Sequence, residues 1–268
     1  GTAWLAVGAT RLASATIFCL RLSWCLAALA LIGCAGDPPM AASGSTKQLA
    51  FPPPPQEARY LYERSLSADT FATKPGWREV LTGDEDESAR RMRKPYAVAV
   101  RNGRVFVSDT ERGCVQVFDI RGQRVSLLGT GTLGRLQKPL GLSVDRAGRL
   151  YVADAATNAI LVFDEQGAYM RTIGGTQWFA RLASVTADPK GDRIYAVDSG
   201  GPGSAEHRVR VFDPVDGRHL FDVGTRGSGP GEFNLAVDLA VGKEGRLYVV
   251  DSGNFRVQIF DHAGRYVK

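Results

Sequence analysis

The chain has 268 residues, 44% of them hydrophobic and 23% charged, which is enough apolar content for a sizeable core and too much for a disordered chain. Its 33 Lys and Arg against 28 Asp and Glu leave a net charge of +5, too small and too mixed to argue for nucleic acid or an anionic membrane surface as a partner. The four cysteines, Cys19, Cys25, Cys34 and Cys114, match neither a metal-ligand spacing nor a disulfide framework.

The first element in chain order is RLSWCLAALALIGCAGDPP, residues 21–39. It holds a basic residue, an apolar run and then Gly33-Cys34, the pattern of a secretory signal peptide over residues 1–33. The run falls short of the roughly 20 residues that a helix needs to cross a hydrocarbon core of ~30 Å. Its end, Leu31-Ile32-Gly33-Cys34, resembles the lipobox of bacterial lipoproteins. That resemblance implies cleavage before Cys34, diacylglycerol on its sulfur and an acylated amine. Each buried methylene adds about 0.8 kcal/mol, so several acyl chains tether a protein without a spanning helix. Ala35 stands where an Asp would resemble an inner-membrane retention signal, so the expected address is the bacterial cell envelope, at the outer membrane, facing the periplasm or the cell surface. An ordinary signal peptide with an incidental cysteine is the alternative. Beyond the leader, Cys114 remains as a lone thiol, expected as a packed small apolar residue.

Residues 34–56 are dominated by Ala, Ser, Gly and Pro, and prolines 52–55 favour extended polyproline II, so this stretch reads as a spacer rather than a proline-motif ligand. Residues 57–93 carry RYLYERSL (59–66), a candidate short helix at 77–81, and GDEDESARRMRKP. In the last stretch Asp84, Glu85, Asp86 and Glu87 are set against Arg90, Arg91, Arg93 and Lys94, a self-compensating solvated loop.

From Lys94 onward the chain repeats. GRLYVADAATNAILVFDEQG and GRLYVVDSGNFRVQIFDHAG show the unit: alternating apolar strands cut by Asp, Ser, Gly and Asn. The aspartates that close the second strand, Asp109, Asp154, Asp198 and Asp251, recur 45, 44 and 53 residues apart, the long interval containing an extra GGPGS. Four short strands in each such unit predict an all-β fold, a β-propeller with blades at 94–137, 138–180, 181–233 and an incomplete 234–268. The first strand of each unit is small and apolar, as a strand lining a crowded axis requires.

GTRGSGPGEFN followed by GRLYVVDSGNFRVQIFD resembles an NHL repeat, and the resemblance covers residues 94–268. With the lipobox and the proline run, the whole is similar to bacterial six-bladed propeller lipoproteins. That implies RYLYERSL as the outer strand of the last blade, clasping the termini; with four blades visible, either the sequence is truncated, the favoured expectation, or the ring is smaller than the family's.

GTGTLG (129–134) fits the dinucleotide fingerprint GxGxxG, but RLQKPLGLSVD follows it where a helix is needed, so no cofactor is expected. Amidating lyases and streptogramin lyases are propellers with metals near the axis. Here His207 falls in a loop between second and third strands, and His219 and His262 between third and fourth, so the three histidines are not expected to converge and no metal is expected. Asp109, Asp154, Asp198 and Asp251, with His207 and Asn254, are the candidate ligand contacts of one loop face; turn-forming aspartates that accept backbone N–H bonds are the other reading. The favoured function is a non-enzymatic scaffold whose blade-connecting loops bind a protein, peptide or glycan, anchored by lipid, with no nucleic acid. The alternative is a metal-dependent lyase or lactonase whose site lies partly in missing blades.

Overall fold

The computed structural model describes residues 49–53, 55–67, 91–201 and 203–268. The leader, Cys34, most of the spacer, the candidate helix at 77–81 and the acidic run at 84–87 lie outside the described residues. The chain divides into two units, residues 1–65 and 66–268. In the first, Tyr60–Leu61 forms a two-residue antiparallel ladder with Ala50–Phe51. Within RYLYERSL, Tyr60 and Leu61 are the residues of this ladder, and their partners lie in the proline-rich stretch before them.

The second unit is the propeller. Blade 1 consists of Pro95–Arg101, Arg104–Asp109, Cys114–Asp119 and Arg124–Leu128, paired in that order. Blade 2 is Pro139–Val144, Leu150–Asp154, Ala159–Phe163 and Tyr169–Gly174; blade 3 is Leu182–Ala187, Ile194–Asp198, Arg208–Phe212 and His219–Val223. Blade 4 has Ala236–Val241, Leu247–Asp251 and Arg256–Phe260, with a further bridge from Phe260 to Tyr266 starting a fourth strand. We call the strands of each blade a to d. The predicted four repeats are therefore four fanned sheets, and the expected all-β class holds.

The four a strands are successive neighbours and together line one axial cavity of about 490 Å³. Small side chains are required there by contact. A Cβ on Gly141 would lie 2.7 Å from the Ser184 Cα of the next blade, closer than packed atoms approach.

Between consecutive blades lie three apolar layers, each drawn from two sheets. Phe106 and Val115 of blade 1 meet Leu150, Val152 and Phe163 of blade 2. Tyr151, Ile160 and Val162 of blade 2 meet Ile194, Ala196 and Phe212 of blade 3. Val197, Val209 and Val211 of blade 3 meet Leu247, Val249 and Phe260 of blade 4. Odd and even residues of one strand thus serve opposite layers. This is why LYVAD and AILVF of blade 2 are buried at every position, whereas PYAVAVR of blade 1 alternates between exposed and half-buried. Cys114 belongs to this interior; burial pushes its thiol above the ordinary value, and it packs as a small apolar side chain.

GTGTLG lies on the connection from blade 1 to blade 2, where Leu136 N–H donates to the Gly129 carbonyl at 2.8 Å. The a strand of blade 2 follows it.

Candidate binding surface on the loop face

Antiparallel blades put the b–c loops and the d-to-a connections on one face of the propeller and the a–b and c–d hairpins on the other. The four repeated aspartates end strand b at the first face, but they do not form an open ring of carboxylates. All four are completely buried. Asp109 accepts main-chain N–H from Arg93 (2.6 Å), Lys94 (3.1 Å), Glu111 (3.2 Å) and Arg112 (3.1 Å). Asp154 repeats this with Gln137, Lys138, Ala156 and Thr157 at 2.6, 3.1, 2.9 and 3.2 Å. Asp198 accepts from Ala180, Arg181 and Gly200 at 3.0, 2.9 and 3.1 Å. Asp251 accepts from Asn234 N–H at 2.7 Å, Arg256 Nε at 2.9 Å and Asn254 Nδ2 at 2.8 Å.

Each carboxylate therefore fastens the chain entering its blade to the b–c turn leaving strand b, and the reading of these aspartates as loop-face ligand contacts is corrected. The lone pairs of Asp109, Asp154 and Asp198 go to main-chain N–H groups, and those of Asp251 to one main-chain N–H and to the side chains of Asn254 and Arg256. Burial alone would raise Asp109, but the bonds from Arg93, Arg112, Lys94 and Glu111 outweigh it and hold the carboxyl below its ordinary value.

His207 and Asn254 are brought to one place, the junction of blades 3 and 4. His207 is buried, and its Nδ1 accepts the Leu235 N–H at 3.1 Å. Burial first, and then Arg226, holds the imidazole below the ordinary histidine value, which keeps the ring neutral near pH 7 as that bond requires. Asn254 donates to the Gly227 carbonyl at 3.0 Å as well as to Asp251. Both shape the loops; neither offers a free donor through these bonds. His219, expected in a loop, starts strand d of blade 3, bonds Asp222 Oδ1 at 2.7 Å and stacks on Trp178 at 4.6 Å.

What these residues hold up is Phe255. It is 96% exposed and sits in the left-handed region at φ +53°. The same position, four residues after the strand-b aspartate, is Gly113 (φ +63°) in blade 1 and Asn158 (φ +50°) in blade 2, the residue types that accept this backbone. Blade 4 places there a large aromatic that, among the described residues, has no packing partner to explain it. Leu235, 37% exposed and also left-handed at φ +60°, meets the start of the same loop, where its carbonyl accepts the Ser252 N–H at 3.2 Å. The sequence signal for Phe255 was present: it interrupts the series Gly, Asn at one repeat position.

Within the axial cavity, Asp238 breaks the apolar run of strand a. Its Oδ1 accepts the Ser184 hydroxyl at 2.8 Å and the Leu239 N–H at 2.9 Å, so it is tied to the wall.

The NHL repeat matches residues 93–118 and 233–260, which are blade 1 and blade 4 through strand c. The chain carries NHL repeats. A six-bladed β-propeller family matches residues 141–202, spanning blade 2 and the first half of blade 3. Among curated proteins, the human E3 ubiquitin-protein ligase TRIM32 is 47% identical over 45 residues, 17% of this chain and 7% of that one. Human NHL repeat-containing protein 3 is 35% identical over 83 residues, 31% of this chain and 23% of that one. The chain thus spans less than a quarter of the length of these relatives. A solved streptogramin B lyase superposes with a TM-score of 0.51 over 65% of this chain and 53% of its own, at 15% identity, a likeness of fold. An NHL propeller is a rigid support for variable loops, and the fold supports a binding or scaffold module.

Proposed function

We propose that this protein is a non-enzymatic binding module that presents the loop face around Phe255 to a protein or peptide partner, held at a bacterial envelope by lipid on Cys34. The observation that carries the binding role is Phe255 itself. A left-handed backbone costs a bulky residue about 1–2 kcal/mol, and blades 1 and 2 avoid that cost at the same position. An exposed aromatic kept on strained backbone is the kind of anchor that dominates protein interfaces, with Leu235 widening the apolar contact. The repeats shared with TRIM32 and NHL repeat-containing protein 3 support a protein partner over a small ligand.

The test is affinity capture from detergent-solubilised envelope, comparing the wild type with Phe255→Asn. Asn keeps the left-handed backbone and removes the ring, so the variant is expected to fold as well or better. A partner enriched by the wild type and reduced at least tenfold by the variant supports the reading; equal recoveries overturn it. A glycan recovered in place of a protein overturns the partner class. The tether is supported by Leu31-Ile32-Gly33-Cys34 with Ala35 after it, and outer-membrane placement follows from the same residues. Cys34→Ser is expected to move the protein from the membrane to the soluble fraction, and an unmodified cysteine at the mature amino end by mass spectrometry refutes the lipid.

A further inference from the structure

Blades 2 and 3 begin their a–b hairpins with the same residue type and end them differently. In blade 2, Asp145 is saturated: Oδ1 accepts the Arg149 N–H at 2.9 Å, and Oδ2 accepts Arg149 Nε at 2.6 Å and the Tyr151 hydroxyl at 3.0 Å. In blade 3 the corresponding residues are Asp188, Arg193 and Tyr195. The hairpin is one residue longer, reading DPKGDR where blade 2 reads DRAGR, and the residue before the arginine is a second carboxylate, Asp192.

The longer turn sends Arg193 elsewhere. Its guanidinium donates to the His262 carbonyl, on the c–d hairpin of blade 4, and lies 5.2 Å over the Phe221 ring. Three buried polar atoms are left without a hydrogen-bond partner: Asp188 Oδ2, the Tyr195 hydroxyl and His262 Nδ1. Asp188 Oδ1 accepts the Lys190 N–H at 3.1 Å, so Oδ2 alone is unmatched. His262 Nδ1 stands 3.9 Å from Asp188 Oδ2, and its Nε2 stands 3.8 Å from Asp192 Oδ2. Both distances are too long for a hydrogen bond. One donor atom from each of the three residues lies within 4.8 Å of the other two.

We propose that Asp188, Asp192 and His262 bind a divalent transition-metal ion between blades 3 and 4. A buried carboxylate oxygen without a donor is costly, and a cation is the partner that two carboxylates and an imidazole nitrogen share. Two hard oxygens with one borderline nitrogen favour Zn²⁺ or Mn²⁺ over Ca²⁺, which prefers an all-oxygen shell. Asp188 supplies a fixed buried ligand. Asp192, 55% exposed at its side chain, and His262, 33% exposed, leave an entry path and room for water to complete the coordination. Arg193 also faces the two carboxylates, but its guanidinium is bonded across to blade 4. The site occupies the hairpin face, opposite the loop face of Phe255, and does not rest on the proposed partner binding.

The experiment is calorimetric titration of tag-free, chelator-treated full chain with Zn²⁺, Mn²⁺ and Ca²⁺, alongside thermal melts. Zn²⁺ is expected to bind at one per chain, more tightly than Ca²⁺, and to raise the melting temperature by roughly 5–10 °C at a hundredfold excess over Kd. Asp192→Asn and His262→Gln should each weaken Zn²⁺ at least tenfold while leaving the metal-free melt unchanged. Asp188→Asn should abolish binding without lowering that melt. No saturable heat with Zn²⁺ or Mn²⁺ up to about 1 mM, equal affinity for Zn²⁺ and Ca²⁺, or undiminished binding in Asp192→Asn and His262→Gln would each overturn the site.

Discussion

Blades 2 and 3 share the lengths of strands a to c, the pairing order and the buried aspartate at the end of strand b, yet the carboxylate at the start of the a–b hairpin has opposite fates in them. Asp145 is enclosed by Arg149 and Tyr151; Asp188, equally buried, faces Asp192 and an imidazole at 3.9 Å. The main-chain pairing is the same in both, Asp145 N–H to the Arg149 carbonyl at 3.0 Å and Asp188 N–H to the Arg193 carbonyl at 2.9 Å, so the difference lies in the arginine side chain, which in the longer hairpin turns to the His262 carbonyl. A repeat therefore preserves its fastening residues and varies the hairpin, and chemistry collects where the fastening pattern lapses.

The largest expected effect lies on what both blades share. Asp154→Ala strands the N–H groups of Gln137, Lys138, Ala156 and Thr157 and should cost about 4 kcal/mol in urea unfolding. A cost near that of a surface substitution would show that water replaces the carboxylate, and that the aspartates do not fasten the blades.

The next effect separates the blades. Asp145→Asn breaks the ion pair with Arg149 and should cost about 2–3 kcal/mol, whereas Asp188→Asn in metal-free protein should be neutral or stabilising at pH 7. The second half of that contrast depends on pH. Burial and Asp192 raise Asp188 above its ordinary value of 3.8, so the folded state holds that proton more tightly than the unfolded chain does. The destabilisation is complete above the raised value and vanishes below 3.8, and the advantage of Asp188→Asn should fade as the pH falls toward 3.8. Asp192, Arg193, Tyr195 and His262 are the side chains facing Asp188, with the Lys190 main-chain N–H on its Oδ1. An Asp188→Asn gain that persisted unchanged to pH 4 would remove the like-charge explanation.

The smallest effect compares the two tyrosines. Tyr151→Phe deletes a bond to Asp145 and should cost about 1 kcal/mol, while Tyr195→Phe deletes an unpaired hydroxyl and should cost nothing or gain slightly. Equal costs in the two blades would mean that the Tyr195 hydroxyl has a partner in solution, and the contrast between the hairpins would lose its basis.

The fold was legible because a propeller is periodic. Strand pattern, turn glycines and the spacing of Asp109, Asp154, Asp198 and Asp251 repeat often enough that each blade corroborates the others. The site was less legible. The aspartates were visible as a set, but a carboxylate that binds a ligand and one that ties down main-chain N–H groups are the same letter, and burial alone separates them. Phe255 was not singled out: it breaks the Gly, Asn series at its repeat position, but its significance depends on a left-handed backbone and near-complete exposure. His262 lies in a c–d hairpin as expected, and the question asked of it there was only whether the three histidines meet one another. Its partners are Asp188 and Asp192, some seventy residues earlier, across a blade interface.

The sequence alone determined the repeating four-stranded unit, its small-residue inner strand and the residues that close each strand, since all of these follow from local periodicity and turn chemistry within one repeat. Tertiary structure alone decided which face of each strand meets which neighbour, which carboxylates are saturated, and that a hairpin of blade 3 lies against one of blade 4. Those outcomes arise from packing whole sheets around an axis, a geometry that brings together residues no local pattern connects.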